Sequence, residues 1–500
     1  GPFPACLCKL GRGAMVLSSS KVTIFQRPFT KSFISGNSCG HSFPEDPRYC
    51  YQPETIKRLL KYCQMIAQVA TGGGKSRICK LAFARIKRPT LFITTRSVLM
   101  YQMKDSFEAD MNMKVGVMGD SVWEPRRGMN VAMVQTLAQY VENKTFESEV
   151  RRHLLLQAES EAKIVEELSS RLKRKRQAKL AIASAVKKLR TRLENARLPD
   201  EALARKVAKK VKFHQARRKK VITLLKMFEV VILEEAHEAS GNSYYDVMKH
   251  CINANYRLAL TATPFMKENE ESNMRLMACT GPIGIKVSEK KLIDLGILAT
   301  PYFKYITYDR VAKLHHGTPW HRAYKIGIVE NNIRNAIVVR EAIKAASMCL
   351  PVMLLIQQTK HGKSLETAIK AMGVKTRFIW GKHEQEQRKE ALRQLREGEM
   401  QVLIGSTFLD VGVDVPSVGM VILAGGGKAE VALRQRIGRG LRAKRIGANV
   451  VFIVDFEDKH NSHLRGQYFQ RLLIVEKKPG FGENILEAVK KFDYATLKAA

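Results

Sequence analysis

The sequence has no run of about 18 consecutive apolar residues, the length that a membrane-spanning helix needs. Its N-terminus also lacks the ordered apolar core of a signal peptide. Cysteine is sparse, with nine residues spread over a chain of 500 that is large enough to pack without cross-links. We therefore expect a cytoplasmic protein with reduced thiols, and we exclude the membrane and disulfide-framework classes.

Acidic residues are also scarce. The chain carries 47 Asp and Glu against 85 Lys and Arg, a formal net charge of +38 at pH 7. A field of this sign favours polyanions, so nucleic acid is the first partner to test. The length and the 45% hydrophobic content exceed the needs of one hydrophobic core, and they predict two or three domains.

Short β-branched runs alternate with helical stretches from residue 51 onward, and this alternation predicts an α/β fold with parallel sheets and helical crossovers. The predicted strands span 90–95, 131–134, 230–234 and 256–261, then 352–357, 376–379, 401–404, 419–424 and 450–454. A less regular stretch at 295–325 separates the two sets, so we expect two tandem domains, at 51–300 and 301–500. Residues 15–50 are expected to form a small N-terminal element, and the Gly-Pro start of residues 1–14 resembles the remnant of a cleaved expression tag.

A basic interruption at about 144–228 separates two strands of the first domain. It has almost no Gly or Pro and is rich in Ala, Leu, Lys, Arg and Glu, a composition typical of helices. Apolar residues keep helical spacing between 164 and 193, and Pro199 breaks the run before a second helix resumes, which predicts a helical hairpin whose second arm could reach roughly 40 Å. Residues 151–228 hold 24 Lys and Arg but 7 Asp and Glu, so this arm carries +17 of the net charge.

A glycine-rich segment at residues 70–76, Ala-Thr-Gly-Gly-Gly-Lys-Ser, follows an apolar run and precedes a helical stretch. Glycines let backbone N–H groups converge on phosphate oxygens, Lys75 supplies charge to the phosphates, and Ser76 offers a hydroxyl to Mg²⁺. Val69 stands where the general phosphate-loop pattern has its first glycine, so that pattern is partly met.

A second acidic motif complements this loop. The apolar run 230–234 delivers two carboxylates at its end, Glu234 and Glu235. One carboxylate can hold the Mg²⁺ shell while the next polarises the water that attacks a γ-phosphate.

Together these segments resemble the superfamily 2 helicases, and the likeness runs from residue 52 to residue 455. The resemblance implies two RecA-like domains, with ATP and Mg²⁺ as cofactors. The residues it assigns to nucleotide binding in the first domain are Gln52, Thr71, Gly72, Gly73, Gly74, Lys75 and Ser76. Residues 234–237 match the DEAH-type motif, with Glu234 and Ser76 as magnesium ligands and Glu235 as the catalytic base. The family usually has Asp at the position of Glu234, so we expect an altered metal preference or slow hydrolysis.

The second domain supplies the remaining motifs in the family's order. Residues 406–416 resemble motif V and include Asp414, while residues 435–442 resemble motif VI and include Gln435. Both residues are implied nucleotide contacts. Arg439 and Arg442 lie three apart on a predicted helix, so both can point at one anion, and the resemblance implies that they join Lys75 and Glu235 in catalysis from across the cleft. The residues 261–263, Thr-Ala-Thr, match motif III.

The resemblance also implies contacts to the sugar–phosphate backbone, made by donors that do not read bases. These residues are Thr95, Arg96, Gln135, Thr136, Thr359 and Thr407. The basic hairpin is expected to grip phosphates or to act as a wedge, because it has too few aromatic residues for base stacking. Its candidate contacts are Arg171, Lys173, Arg174, Lys175, Arg176, Arg217, Arg218, Lys219 and Lys220.

Within the superfamily the chain looks most like the phage UvsW-like enzymes that remodel forks and migrate Holliday junctions. We therefore expect a monomeric DNA helicase or translocase of replication, recombination or repair, which binds single-stranded and branched DNA largely without sequence preference in the cytoplasm of a bacterial host. Three alternatives stay open: an RNA helicase, a hydrolysis-impaired nucleic-acid scaffold, and a translocating subunit of a restriction complex.

Overall fold

The computed structural model describes residues 44–174, 179–195, 200–235, 242–265, 270–381, 383, 385–405, 418–427 and 449–486. Most of the predicted N-terminal element, up to residue 43, lies outside these ranges. Among the described helices, none is both long enough and apolar enough to cross a bilayer.

The first sheet contains eight described strands in the order β4-β3-β5-β2-β6-β7-β1-β8. Their bounds are β1 Gln64–Val69, β2 Thr90–Thr94, β3 Gly116–Gly119, β4 Val122–Glu124, β5 Met129–Met133, β6 Val230–Glu234, β7 Tyr256–Thr261 and β8 Ile283–Val287. All neighbours pair in parallel except β3 and β4. The central strands β2 and β6 are buried along their whole length, as expected of a parallel sheet covered by helices on both faces.

Helices connect and cover these strands. Their bounds are α1 Tyr51–Tyr62, α2 Lys75–Ile86, α3 Ser97–Met111, α4 Val134–Val141, α5 Phe146–Arg174, α6 Lys179–Asn195, α7 Asp200–Leu225, α8 Asn242–Met248, α9 Glu270–Thr280 and α10 Glu289–Asp294. One hydrophobic cluster packs α1, α2 and α3 against one face of the sheet, and a second packs α4, the end of α7 and α8 against the other.

The second sheet contains six described strands, all parallel, in the order β11-β12-β10-β13-β14-β9. Their bounds are β9 Thr300–Ile306, β10 Val352–Leu355, β11 Thr376–Ile379, β12 Val402–Gly405, β13 Met420–Ile422 and β14 Val450–Phe456. The helices are α11 Trp320–Tyr324, which runs into a π-helical turn at Lys325–Val329, then α12 Asn332–Ser347, α13 Thr359–Ala371, α14 Gln385–Arg396 and α15 Ser462–Glu476. The predicted α/β class with two parallel sheets is confirmed.

The predicted strands agree with the structure to within one or two residues at each end, and 230–234, 256–261 and 376–379 agree at both ends. Five described strands were not predicted. The strand β9 lies inside the stretch described as irregular, β1 was noted only as an apolar run before the glycine loop, and β8 was not recognised. The strands β3 and β4 have three or four residues, which show too little alternation to be recognised.

In its described residues the basic interruption is helical, as predicted. Three helical spans are described, α5, α6 and α7, and residues 175–178 and 196–199 between them lie outside the described ranges. The last helix belongs partly to the body, since Val221 and Leu225 are buried in the core beside α4. How these helices connect lies outside the described residues, so the helical hairpin stays a prediction. We call α5, α6 and α7 together the basic arm.

The two sheets are joined beside α10. The Asn449 side chain donates to the carbonyls of Gly296 at 3.2 Å and Leu298 at 3.1 Å, just before β9 begins. After the last helix of the chain's described part, Lys478 pairs with Glu289 of α10 at 2.6 Å. The chain therefore passes from one sheet to the other through a segment held from both sides.

Candidate functional site

The carboxyl ends of β1, β6 and β7 bring the predicted chemical groups together. The strand β7 lies between the other two, and the registers place Gln68 opposite Thr261 and Glu234 opposite Leu260. Because the strands are parallel, the loops that follow them open at the same edge of the sheet, where α/β proteins bind ligands.

The glycine loop after β1 has the backbone of an anion cradle. Gly72 and Gly74 have φ values of +87° and +74°, a left-handed region that strains other residues, and α2 begins directly after at Lys75. The first N–H groups of a helix lack partners inside it, so they are available to an anionic oxygen. A side chain at residue 73 would also meet Val69 at 2.5 Å.

The helix α1 fixes this loop from one side. The Tyr51 hydroxyl donates to the carbonyl oxygen of Gly73 at 2.8 Å, and burial raises the pKa of Tyr51 to about 12. Gln52 is 1% exposed, and its Nε2 lies 2.7 Å from the place that a Cβ of residue 74 would occupy. Its Oε1 is buried without a hydrogen-bond partner among the described residues, so this oxygen has unused bonding capacity next to the loop.

The two glutamates behave differently. Lys75 Nζ lies 3.2 Å from Glu235 Oε1, which ties the glycine loop to the end of β6. Glu234 is only 9% exposed, and its Oε2 has no hydrogen-bond partner in the described part of the chain. Burial raises the pKa of Glu234 to about 7, an effect that the nearby Lys75 opposes and Glu235 reinforces. Glu235 has a φ of +49°, which is uncommon for a residue other than glycine and marks a locally strained backbone.

Several supporting contacts were not predicted. The Tyr244 hydroxyl donates to the carbonyl of Glu234 at 3.3 Å, and Gln68 Nε2 donates to the carbonyl of Ala262 at 3.3 Å. The backbone N–H of Thr263 donates to the Thr261 hydroxyl at 3.2 Å, which folds the end of β7 back on itself. Tyr51 is adjacent to a predicted site residue, but nothing local in the sequence marks Gln68 or Tyr244.

The predicted backbone-binding residues of the first domain lie together. Thr95 and Arg96 follow β2, and Gln135 and Thr136 open α4 after the neighbouring strand β5. Gln135 Nε2 donates to the carbonyl of Thr95 at 2.9 Å. Thr359 is the first residue of α13, at the carboxyl end of β10 in the second sheet.

Other predicted residues lie outside the described ranges, so their predicted roles stay predictions. These are Thr407, Asp414, Gln435, Arg439, Arg442, Lys175 and Arg176. Of the remaining arm residues, Arg171 lies near the end of α5, while Arg217, Arg218, Lys219 and Lys220 lie on α7. Lys173 and Arg174 are the last-turn residues of α5.

Comparison with known proteins gives two family matches. Residues 47–266 match the type III restriction enzyme res subunit family, and residues 337–444 match the helicase conserved C-terminal domain. These two matches, in this order, contain every motif identified above. The chain belongs to the superfamily 2 helicases.

Two curated relatives of this helicase are a candidate helicase of Sulfolobus islandicus filamentous virus, 23% identical over 54% of this chain, and the DNA 3'-5' translocase XPB2 of Sulfurisphaera tokodaii, 27% identical over 45%. This chain covers 51% and 58% of their lengths, so it spans about half of the relatives it matches. The DUF1998 helicase MrfA, solved bound to DNA, has the same fold, with 14% identity, a TM-score of 0.52 and coverage of 85% of this chain and 51% of that one. T4 UvsW also matches, at a TM-score of 0.30 that does not distinguish a subgroup.

Proposed function

We propose that this helicase is an ATP-driven DNA motor that unwinds or remodels branched DNA, such as forks and Holliday junctions. The observation that supports it best is that Lys75 Nζ lies 3.2 Å from Glu235 Oε1, beside the buried Oε2 of Glu234, which has no hydrogen-bond partner among the residues that the structure describes. A buried carboxylate oxygen without a donor is unfavourable in the free protein, and a cation that binds there would complete it.

The residues around the glycine loop fit a nucleotide with Mg²⁺. The left-handed glycines and the free start of α2 suit phosphate oxygens, and the carboxylate of Glu234 is the hard oxygen donor that Mg²⁺ prefers. In this proposal Thr71, Lys75, Ser76 and the three glycines hold the phosphates, Gln52 contacts the adenine, and Glu234 and Ser76 hold the metal. When bound, ATP with its metal supplies the free energy of phosphoryl transfer to water.

Glu235 is the proposed general base. In the free protein its carboxylate forms an ion pair with Lys75, so the general base and the phosphate-binding ammonium are bound to each other. When Lys75 turns to phosphate oxygens, Glu235 is released to accept the proton of the attacking water. This exchange would keep the base inactive until the site is filled.

The basic arm is the proposed contact to branched DNA, and its base is rigidly anchored. Glu149 of α5 is buried and pairs with Lys210 of α7 at 2.9 Å, with Arg152 at 3.6 Å and with Lys144 at 4.0 Å. Val150 packs beside these pairs against the buried apolar residues of α7. A rigid base lets the arm hold a duplex at a fixed position relative to the motor.

The first experiment measures ATP hydrolysis and strand separation on single-stranded DNA, duplex, fork, four-way junction and RNA, each at two salt concentrations. We expect the largest stimulation on branched DNA and a steep loss of affinity with salt, because several phosphate contacts release counterions. Stimulation by RNA above DNA would contradict the DNA assignment, and hydrolysis that persists in Lys75→Ala would contradict the site.

The second experiment removes the outer part of the arm. Residues 158–198 are replaced by a short Gly-Ser linker, which spares α7 because its end is part of the core. We expect a smaller salt dependence and weaker action on forks and junctions. A matched variant keeps the helices but carries Arg171→Gln, Lys187→Gln and Lys188→Gln, so it separates charge from shape. Unchanged fork unwinding in the linker variant would reduce the arm to a solubility feature.

One alternative has a specific observation in its favour. Glu234 stands where the family usually has Asp, and a longer side chain at the metal site is compatible with a scaffold that binds nucleotide and nucleic acid without hydrolysis. Nucleotide binding without any stimulated hydrolysis, across all five nucleic acids, would favour that function over the motor.

A further inference from the structure

Four side chains from three different elements of the fold meet on the surface of the first domain. The rings of Trp123 on β4 and Tyr140 on α4 are 5.1 Å apart between centroids. The guanidinium carbon of Arg217 on α7 lies 4.8 Å from the centroid of Tyr140 and 4.8 Å from that of Phe213. We call Trp123, Tyr140, Phe213 and Arg217 the aromatic platform.

The fold places these residues for definite reasons. Trp123 pairs with Met118 across the antiparallel strands β3 and β4, and Met118 belongs to the core cluster beneath α4 and α7. The helix α7 is fastened to the end of α4 by Arg218, whose Nε donates to the carbonyl of Val141 at 2.8 Å, and by His214, which bonds the carbonyl of Glu142 at 3.0 Å. Arg218 therefore holds α7 against α4, and its neighbour Arg217 lies beside two rings.

Two rings of the platform are largely or partly exposed to solvent. Phe213 is 64% exposed and Trp123 is 36% exposed, so both rings have surface left for another planar group. A guanidinium held beside two rings is oriented in advance, and its planar fork matches the geometry of a phosphate. Exposed rings next to an oriented cation are the combination with which proteins bind single strands, by base stacking and phosphate contact.

The surroundings carry the matching charge. Lys212, Lys219 and Lys220 are exposed on α7, and Arg126 and Arg127 are exposed just after Trp123. The helix α4 begins at Val134, beside the predicted contacts Gln135 and Thr136, and its second-last residue is Tyr140. At about 1.5 Å per residue, Tyr140 lies roughly 7 Å along α4 from those contacts.

We propose that the aromatic platform binds single-stranded nucleic acid as it passes between the Gln135–Thr136 contacts and the basic arm. A base stacks on Phe213, Arg217 contacts a phosphate, and Trp123 and Tyr140 support the guanidinium and extend the stacking surface. This inference rests on the proposed function for its nucleic-acid ligand. It differs from the expectation that the arm does not stack bases, because that expectation counted aromatic residues only within the arm's own sequence.

The test uses the full chain and oligo(dT) and oligo(rU) of about 16 nucleotides, the upper site size of single-strand binding folds. Binding is measured by fluorescence anisotropy at two salt concentrations, and stacking by the quenching of 2-aminopurine placed along the DNA strand. We expect Phe213→Ala to weaken binding about tenfold with an unchanged salt slope, because no charge is lost. Arg217→Ala should weaken binding and lower the slope by about one contact, and Arg217→Lys should restore the slope but not the full quenching.

Matched controls lie on the same arm. Leu180→Ala removes an apolar side chain that is 86% exposed, and Lys212→Ala removes a cation adjacent to Phe213. We expect Leu180→Ala to bind as the unchanged protein does, and Lys212→Ala to lower the salt slope while quenching persists. The midpoint of thermal unfolding, measured for each variant, identifies any change that acts through the fold.

The outcomes separate this inference from the motor. Quenching and affinity that are the same in Phe213→Ala and in the unchanged protein would overturn the platform, whatever the ATPase does. Binding of a peptide or protein at Phe213 with no competition from either oligonucleotide would also overturn it, in favour of a protein-docking role. Phe213-dependent quenching without any nucleic-acid-stimulated hydrolysis would support the platform and overturn the motor. The relative affinities for oligo(dT) and oligo(rU) show whether the aromatic platform prefers DNA or RNA.

Discussion

Two buried groups of carboxylates, one in each sheet, differ in how their charge is matched. Glu234 at the end of β6 has one oxygen without a hydrogen-bond partner among the described residues. Asp455 and Asp458, at and just after the end of β14, are equally buried but are paired with two arginines. Among the described residues, Glu234 Oε2 therefore has no donor, whereas each carboxylate of the second group is matched by an arginine.

The paired group is built from α12, α15 and β14. Arg334 Nε donates to Asp458 at 2.9 Å, and Arg471 donates to Asp455 at 2.8 and 3.0 Å. The Tyr308 hydroxyl donates to Asp458 at 2.6 Å, and burial beside this carboxylate raises the pKa of Tyr308. Each carboxylate therefore has donors that stabilise its charged form.

The arginines also reach the segment that follows β13. Arg334 Nη1 donates to the carbonyl of Ala424 at 2.5 Å, and Arg471 Nη1 donates to the carbonyl of Gly427 at 3.1 Å. This segment leads directly into residues 428–448, where the motif VI arginines are predicted. Buried carboxylates are therefore matched in two different ways in the two sheets. Where they are paired, they hold a backbone segment in place, and where an oxygen has no partner among the described residues, it is the group that we propose binds a cation.

The largest effect that this comparison predicts is on turnover at the site of Glu234 and Glu235. Glu235→Gln should lower kcat by a factor of about 10² to 10⁴, because the amide cannot accept the proton of the attacking water. Nucleotide binding and the unfolding midpoint should stay close to those of the unchanged protein. Glu229→Gln, just before the other end of β6, is the matched control and should hydrolyse ATP normally. Loss of binding in Glu235→Gln would mean that this carboxylate is structural instead.

Breaking an ion pair in the paired group should lower the free energy of unfolding. Arg471→Met leaves the Asp455 carboxylate without its two side-chain donor bonds, and breaking one side of a buried ion pair typically costs about 3–5 kcal/mol. Denaturant unfolding followed by circular dichroism should show this as a transition at a lower denaturant concentration. Arg465→Met removes an exposed arginine from the same helix and should change the unfolding free energy by less than about 0.5 kcal/mol. Equal effects of the two substitutions would show that the pairing is not needed for stability.

The site at the glycine loop was largely predictable from the sequence, whereas the paired group in the second sheet was not. The glycine loop, Glu234 and Glu235 are contiguous motifs that follow apolar strands, so local pattern was enough to place them at one sheet edge. The raised pKa of Glu234 was not predictable, because it depends on how deeply the strand end is buried. The pairing of Arg334 with Asp458 joins residues 124 positions apart and has no local signature. The aromatic platform was missed for the same reason.

The free energy of unfolding should depend on pH through Glu234. The pKa of Glu234 is raised in the folded protein to about 7 from an ordinary 4.5, so its stabilising contribution is fully present below pH 4.5 and is lost as the pH rises through 7. At pH 8 without Mg²⁺, the free energy of unfolding of Glu234→Gln should therefore exceed that of the unchanged protein by about 3 kcal/mol. At pH 4, where the carboxyl is protonated in both states, the two proteins should be equally stable. Denaturant titrations at the two pH values measure this difference. The same advantage at both pH values would mean that the carboxylate charge is not its cause.

The smallest effect concerns the length of the side chain at 234. Glu234→Asp restores the residue that the family usually has, and its carboxylate is withdrawn by one methylene from the metal position. If Glu234 is an unpaired carboxylate waiting for Mg²⁺, and the loop can relax around it, the Mg²⁺-dependent rate should stay the same or rise by a small factor. The measurement is the ATPase rate over a range of Mg²⁺ and Mn²⁺ concentrations. A fall of about tenfold or more would show that the site is built around the longer side chain, because a displacement of about 1 Å can cost a factor of 100 in rate. In that case the site of Glu234 and Glu235 would be as closely fitted to its own residues as the paired group is.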